Sequence, residues 1–99
     1  MIKHVVLFKL KEFSSQEEKS LKISEIKNGL EALINLIPEL KKINVGINVN
    51  SNEEFDICLE TEHENMDGLK SYAVHPEHIA VAKIIREVLE KRACVDYIV

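Results

Sequence analysis

The middle of the chain alternates strictly. Ile43, Val45, Ile47 and Val49 are interleaved with Asn44, Gly46 and Asn48. After the turn-forming run Asn50-Ser-Asn-Glu-Glu54, Phe55, Ile57 and Leu59 are interleaved with Asp56, Cys58 and Glu60. Side chains of a strand point to opposite faces in turn, so a period of two marks half-buried β-structure. Two such runs joined by a short polar turn read as a hairpin.

Helical stripes flank the hairpin. Ile23, Ile26, Leu30, Leu33, Ile34 and Ile37 recur at helical spacing. Ser14 and Glu17 stand three apart, as in a capping box, and Pro38 predicts an end near Ile37. Gly29 lies inside this stripe, at a helix-propensity cost of up to about 1 kcal/mol relative to alanine, and allows a close contact. Beyond the hairpin, Asn65 is placed to cap a short helix. Ile79, Ala82, Ile85, Arg86 and Leu89 predict a second one from Pro76 to about Arg92, its apolar face widened by Ile84 and Val88. Strands close both ends: Ile2–Leu10, rich in β-branched and aromatic residues, and Ala93–Val99. Both faces of the first are apolar in the middle, with His4 on the side of Val6 and Phe8.

The order strand, helix, strand, strand, helix pair, strand is the βαββαβ pattern of a ferredoxin-like α+β domain, with its last helix split. The expectation is a single domain over residues 1–99 with a four-stranded antiparallel sheet. Helices on one side of such a sheet leave the other face bare. That face is expected to carry several of Ile2, Val6, Phe8 and Leu10, or of Val45, Ile47, Ile57 and Leu59. A monomer rarely leaves so large an apolar patch in water, so a second copy is the simplest cover and a homodimer is expected.

Charge narrows the function classes. Thirteen basic and seventeen acidic residues give a net charge of −4, and the two signs are interspersed, so nothing invites nucleic acid. The N-terminal apolar run is short and interrupted by Lys9 and Lys11, which excludes a membrane span there and a secretory signal. Cys58 and Cys94 lack metal-like spacing and read as buried free thiols of a cytoplasmic protein.

The chemistry-bearing stretch is Tyr72-Ala-Val-His75-Pro76-Glu-His78. Proline disfavours the α region for the residue before it and is tolerated at the first helical position. One helix is therefore expected to end near Val74 and the next to begin at Pro76 with His75 as its cap. The kink can aim Tyr72 and His78 at one place. Unpaired N–H groups at a helix start disfavour a protonated His78, and a neutral imidazole can accept a proton. A base beside a phenol donor suits proton abstraction next to a carbonyl. His75 and His78 span a helix cap with no third ligand adjacent, so no metal is expected there. The same seven residues also fit a plain packing role, with His75 as cap and Tyr72 and His78 half-buried.

The opening Ile2-Lys-His4-Val-Val-Leu-Phe-Lys-Leu10, the Gly46 strand, Phe55-Asp56, Tyr72-x-x-His75-Pro76-x-His78 and the closing Val95-Asp96-Tyr97 together resemble the stress-responsive dimeric α/β-barrel (Dabb) domain family. The resemblance implies a homodimer whose two sheets form one barrel, with a pocket for a small, largely apolar carbonyl-type ligand in each subunit. Plant members include a cofactor-free polyketide cyclase. By that resemblance His78 would be the base of an aldol-type condensation, Tyr72 the oxyanion donor and His4 an assisting residue. His75, Val6, Phe8, Ile26, Leu30 and Leu89 would line the ligand site, and no cofactor or metal is implied. The chain has three Phe, two Tyr and no Trp, and by the resemblance Ile26, Lys27, Leu30 and Leu89 would stand where the cyclase pocket is aromatic. Three functions follow as expectations: ligand binding without chemistry, a cofactor-free cyclase or lyase, and a non-catalytic structural dimer.

Overall fold

The computed structural model describes all 99 residues. The elements run β1 (Ile2–Leu10), α1 (Gln16–Ala32) with a 3₁₀ turn (Leu33–Asn35), β2 (Lys42–Ile47), β3 (Ile57–His63), α2 (Met66–Val74), α3 (Pro76–Val88) and β4 (Leu89–Ile98). The four strands form one antiparallel sheet in the order β2-β3-β1-β4, the ferredoxin-like arrangement expected from the sequence. No helix is long and apolar enough to cross a membrane.

Local chemistry accounts for the element ends. Ser15, one residue later than the capping-box reading, is the N-cap of α1. Its backbone is extended and its Oγ accepts from the Glu18 amide at 3.1 Å, while Ser14 binds the Glu18 carboxylate instead. The Asn65 side chain accepts from the Gly68 amide and caps α2. α2 stops at Val74 and α3 starts at Pro76, as the proline requires. His75 between them has an extended backbone, and its Nδ1 accepts from the Glu77 amide at 3.1 Å.

Further sequence expectations are corrected. α3 ends at Val88, not near Arg92, because residues 89–92 are drawn into β4: Leu89 pairs with Leu10, Arg92 with Phe8, and the Lys9 ammonium meets the Glu90 carboxylate. The hairpin strands also shift. β2 ends at Ile47, leaving Val49 in solvent, and β3 runs on to His63. Finally, the residues expected on the bare face are mostly on the covered one.

Val6, Phe8 and Leu10 of β1, Val45 of β2, and Ile57 and Leu59 of β3 lie beneath the helices. They join Ile23, Ile26, Leu30, Leu33, Leu69, Tyr72 and Ile85 in a single core. The register therefore gives the other side to the odd positions of β1. Val5 pairs with Val95, Leu7 with Ala93 and Cys58, and Lys3 with Tyr97. Val95 and Tyr97 are 56% and 45% exposed, so the open face is apolar across β1 and β4. Cys58 is half-buried on that side. Cys94, opposite Val6 on the helix side, is exposed because nothing covers the edge strand there, contrary to the buried reading. The two thiols are free and on opposite faces of the sheet.

Candidate functional site

A cavity of about 220 Å³ lies on the helix side of the sheet, between β1 and α3. The sheet contributes His4, Val6, Phe8, Leu59 and Arg92 to its wall. The helices contribute Leu30 from α1 and His78, Ala82, Ile85 and Arg86 from α3, and Leu89 closes the end. The volume is below the roughly 300–1,000 Å³ of sites for drug-sized ligands, so it suits a small molecule.

Helix geometry explains the α3 wall. His78, Ala82 and Arg86 are four residues apart and form one stripe. His78 stands in the first turn, and its Nδ1 donates to the Ala73 carbonyl at 3.0 Å. A carbonyl can only accept, so in the neutral ring Nδ1 carries the proton and Nε2 keeps its lone pair. The His78 pKa lies below the ordinary histidine value. Burial is the main cause, opposed by the bond to Ala73 and reinforced by His4, Arg86 and Arg92. The imidazole is thus held neutral chiefly by desolvation rather than by the helix start alone.

Tyr72 comes from the last turn of α2 and is 1% exposed. Its ring lies between two imidazoles, 4.5 Å from the ring centre of His78 and 4.9 Å from that of His63. Its hydroxyl is buried without a protein hydrogen-bond partner. Burial pushes the phenol pKa up to about 12, so it is a proton donor at any physiological pH. Tyr72 touches His78 but does not itself line the cavity.

His4 reaches the cavity from β1. Its Nδ1 donates to Asp96 Oδ1 at 2.5 Å, across the register pair His4–Asp96. Cys94 Sγ lies 3.5 Å from the same nitrogen. His4, Cys94 and Asp96 place their donor atoms within 4.8 Å of one another, and their types suit zinc. Two ligands of one tetrahedral zinc, each about 2.0–2.2 Å from the ion, sit about 3.3–3.6 Å apart. The His4–Asp96 contact is shorter, so the cluster is built as a hydrogen-bonded pair.

Of the residues singled out in the sequence, His4, Val6, Phe8, Leu30, His78 and Leu89 meet in this cavity. Ile26 is fully buried in the core and does not line it, and His75 is occupied as the α3 cap. Sequence reading missed Arg86, Arg92, Asp96 and His63. The i, i+4, i+8 stripe from His78 points to Arg86. Arg92 and Asp96 need the β1–β4 register, which sets them opposite Phe8 and His4. His63 is fully buried, with Nδ1 donating to the Glu39 carbonyl and Nε2 accepting from Thr61, each at 2.9 Å. Burial lowers its pKa as well.

The fold and cavity define a class: ferredoxin-like domains with an open sheet face and a small ligand-sized cavity beneath the helices. The Dabb family, described as the stress responsive A/B barrel domain, matches residues 2–99, and the chain belongs to it. It is 31% identical over 101 residues to the stress-response A/B barrel domain-containing protein DABB1 of Arabidopsis thaliana, covering 99% of this chain and 47% of that protein. The chain thus spans about half of that relative's length. It is 26% identical over 99 residues to olivetolic acid cyclase of Cannabis sativa, covering 97% of this chain and 94% of the cyclase. Among solved structures it is similar to a dimeric protein of unknown function with a ferredoxin-like fold from Bacteroides fragilis. The two share 47% identity with a TM-score of 0.91, over 97% of this chain and 93% of that one. A dimeric ferredoxin-like protein of unknown function from Thermobifida fusca shares 25% identity with a TM-score of 0.84, over 99% and 90% of the two chains.

Proposed function

We propose that this protein is a cytoplasmic homodimer that binds a small, largely apolar carbonyl compound in the cavity of each subunit. One observation carries the reading. An otherwise mostly aliphatic cavity has on its wall an imidazole, His78, that burial keeps neutral and whose Nδ1 alone is engaged. Such a ring can accept a hydrogen bond from an enol or hydroxyl through Nε2. The open face of Val5, Leu7, Ala93, Val95 and Tyr97 supports the dimer, and similar solved proteins are described as dimeric. The test is a panel of β-ketoacyl and small carbonyl compounds, read by ligand-induced shifts in melting temperature. Binding that weakens in His78→Ala supports the proposal, by about 1 kcal/mol for the lost hydrogen bond. A panel without any shift counts against it.

A second reading, a cofactor-free cyclase or lyase, is favoured by the contact of His78 with Tyr72 and by the latter's unpartnered hydroxyl. His78 Nε2 would remove a proton from carbon next to a carbonyl, and the resulting carbanion would add to a second carbonyl of the same substrate. Tyr72 would donate to the oxyanion after a small shift that brings its hydroxyl to the cavity, and His4, held by Asp96, would orient the substrate. Turnover should then survive a chelator and rise with pH as His78 loses its proton, with the midpoint below the ordinary value of about 6.5. Losing the base should reduce it about 10²–10⁴-fold. Unchanged turnover in His78→Ala would end the catalytic reading while leaving the binding one intact.

A further inference from the structure

The cavity wall carries two arginines that the apolar-ligand reading leaves unused. Arg86 comes from the last turn of α3 and Arg92 from β4, so two separate elements bring them to one space. Neither forms an ion pair. Two acids of β4 are engaged elsewhere: Glu90 with Lys9, and Asp96 with His4. No acidic side chain lines the cavity, although the chain as a whole has four more acids than bases. Both arginines are exposed at its edge, while Val6, Leu30, Leu59 and Ile85 form the interior.

Structural roles account for only part of this. A cation in the last turn of a helix is favoured by the helix dipole, which suits Arg86. An inward-facing charge on an edge strand discourages edge-to-edge pairing, which suits Arg92. Neither role requires the two to share a cavity or to lack carboxylate partners. A guanidinium presents a rigid fork of donors matched to carboxylate and phosphate oxygens.

We infer that the cavity selects an amphipathic anion, with an apolar body against Val6, Leu30, Leu59 and Ile85 and a carboxylate or phosphate-ester head between Arg86 and Arg92. The inference rests on the reading of this cavity as a ligand site and adds the charge of the ligand. It places the head at the mouth and the body inside, with the His78 ring part-way along the wall. A β-keto acid or an acyl phosphate fits that order of groups, and a neutral ketone satisfies only the interior.

The test is calorimetric titration with three probes of one chain length: octanoate, octyl phosphate and 2-octanone. It is run well above the ordinary histidine pKa of about 6.5, so that His78, whose pKa burial lowers, adds no positive charge. At least one anion should bind about tenfold or more tightly than 2-octanone, as expected for a charge-assisted hydrogen bond. Whether octanoate or octyl phosphate binds better tells a carboxylate head from a phosphate head. Arg86→Gln and Arg92→Gln should each weaken the preferred anion about tenfold, leave 2-octanone binding unchanged and still unfold in one cooperative transition. Arg86→Lys and Arg92→Lys should restore part of the loss. Anions binding no more tightly than 2-octanone, or binding that ignores both glutamine substitutions, would overturn the inference while leaving the neutral-ligand reading in place. If none of the three probes binds the wild-type protein, both readings fall together.

Discussion

Tyr72→Phe separates the stability of this fold from its chemistry. The hydroxyl is buried and has no protein partner, while the ring packs between His63 and His78. Phenylalanine keeps the ring and removes the stranded oxygen. An unsatisfied buried hydroxyl costs about 1–3 kcal/mol, and the substitution also leaves a small gap that offsets part of the gain. A net stabilisation of about 1 kcal/mol is expected. In a domain of this length it raises the melting temperature by about 4–8 °C. The assay is thermal and urea unfolding of both proteins at one concentration, above the histidine titration range. If Tyr72 also donates to an oxyanion, the same variant loses turnover while gaining stability. A melting temperature lowered by several degrees would refute the reasoning, because it would mean that the native hydroxyl is satisfied and that its removal breaks a hydrogen bond.

The remaining predictions concern titration, packing and assembly. Burial lowers the pKa of both His63 and His78. The unfolded chain therefore binds protons first as pH falls below about 6.5, and stability present above that value is lost on acidification. A melting temperature that stays flat between about pH 8 and pH 5 would contradict this. Gly29→Ala in α1 should stabilise by about 0.5–1 kcal/mol, since the added Cβ would meet the Val81 methyls of α3 at 3.5 Å, an ordinary contact. A lower urea midpoint would show that the helices need to be closer than they stand. Val95→Lys on the open face should dissociate the proposed dimer and leave each subunit folded, as read by light scattering with circular dichroism. A variant still dimeric at micromolar concentration would place the interface elsewhere. Phe8→Glu should unfold the protein instead, because Phe8 is in the core beneath the helices and not on the open face.

The sequence made the order of elements and the His75–Pro76 break legible because both rest on local physics. Period-two alternation, a proline at the first helical position and an Asx cap at Asn65 each act over a few residues. What it concealed depended on pairing at long range. Leu89-Glu-Lys-Arg92 is a run of good helix formers and continues the α3 stripe. It becomes strand because β1 offers it a ladder, with Leu10 against Leu89 and Lys9 against Lys91, and the Lys9–Glu90 ion pair beside them. The covered face was hidden for a similar reason. Both the Val5–Leu7 and the Val6–Phe8 sets of β1 are apolar, so alternation alone does not say which side the helices take. β3 decides it. Ile57, Leu59, Thr61 and His63 are all buried on one side, and the last two lie past the point where the apolar alternation fades into Glu60 and Glu62.

The same register explains why the candidate site was only half visible. His78 and Tyr72 announce themselves through a proline motif, but Arg92 on the cavity wall and Asp96, the partner of His4, sit on β4. Arg92, Cys94 and Asp96 are interleaved with Lys91, Ala93 and Val95 in a stretch that alternates in polarity with no apolar inner face. An edge strand covered on neither side carries no burial signal. Only its pairing with β1 shows that Asp96 faces His4 and that Arg92 faces Phe8. On the proposed reading, ligand selectivity would be sought in Arg86 and Arg92 of the cavity wall, and any reactivity in the His78–Tyr72 contact.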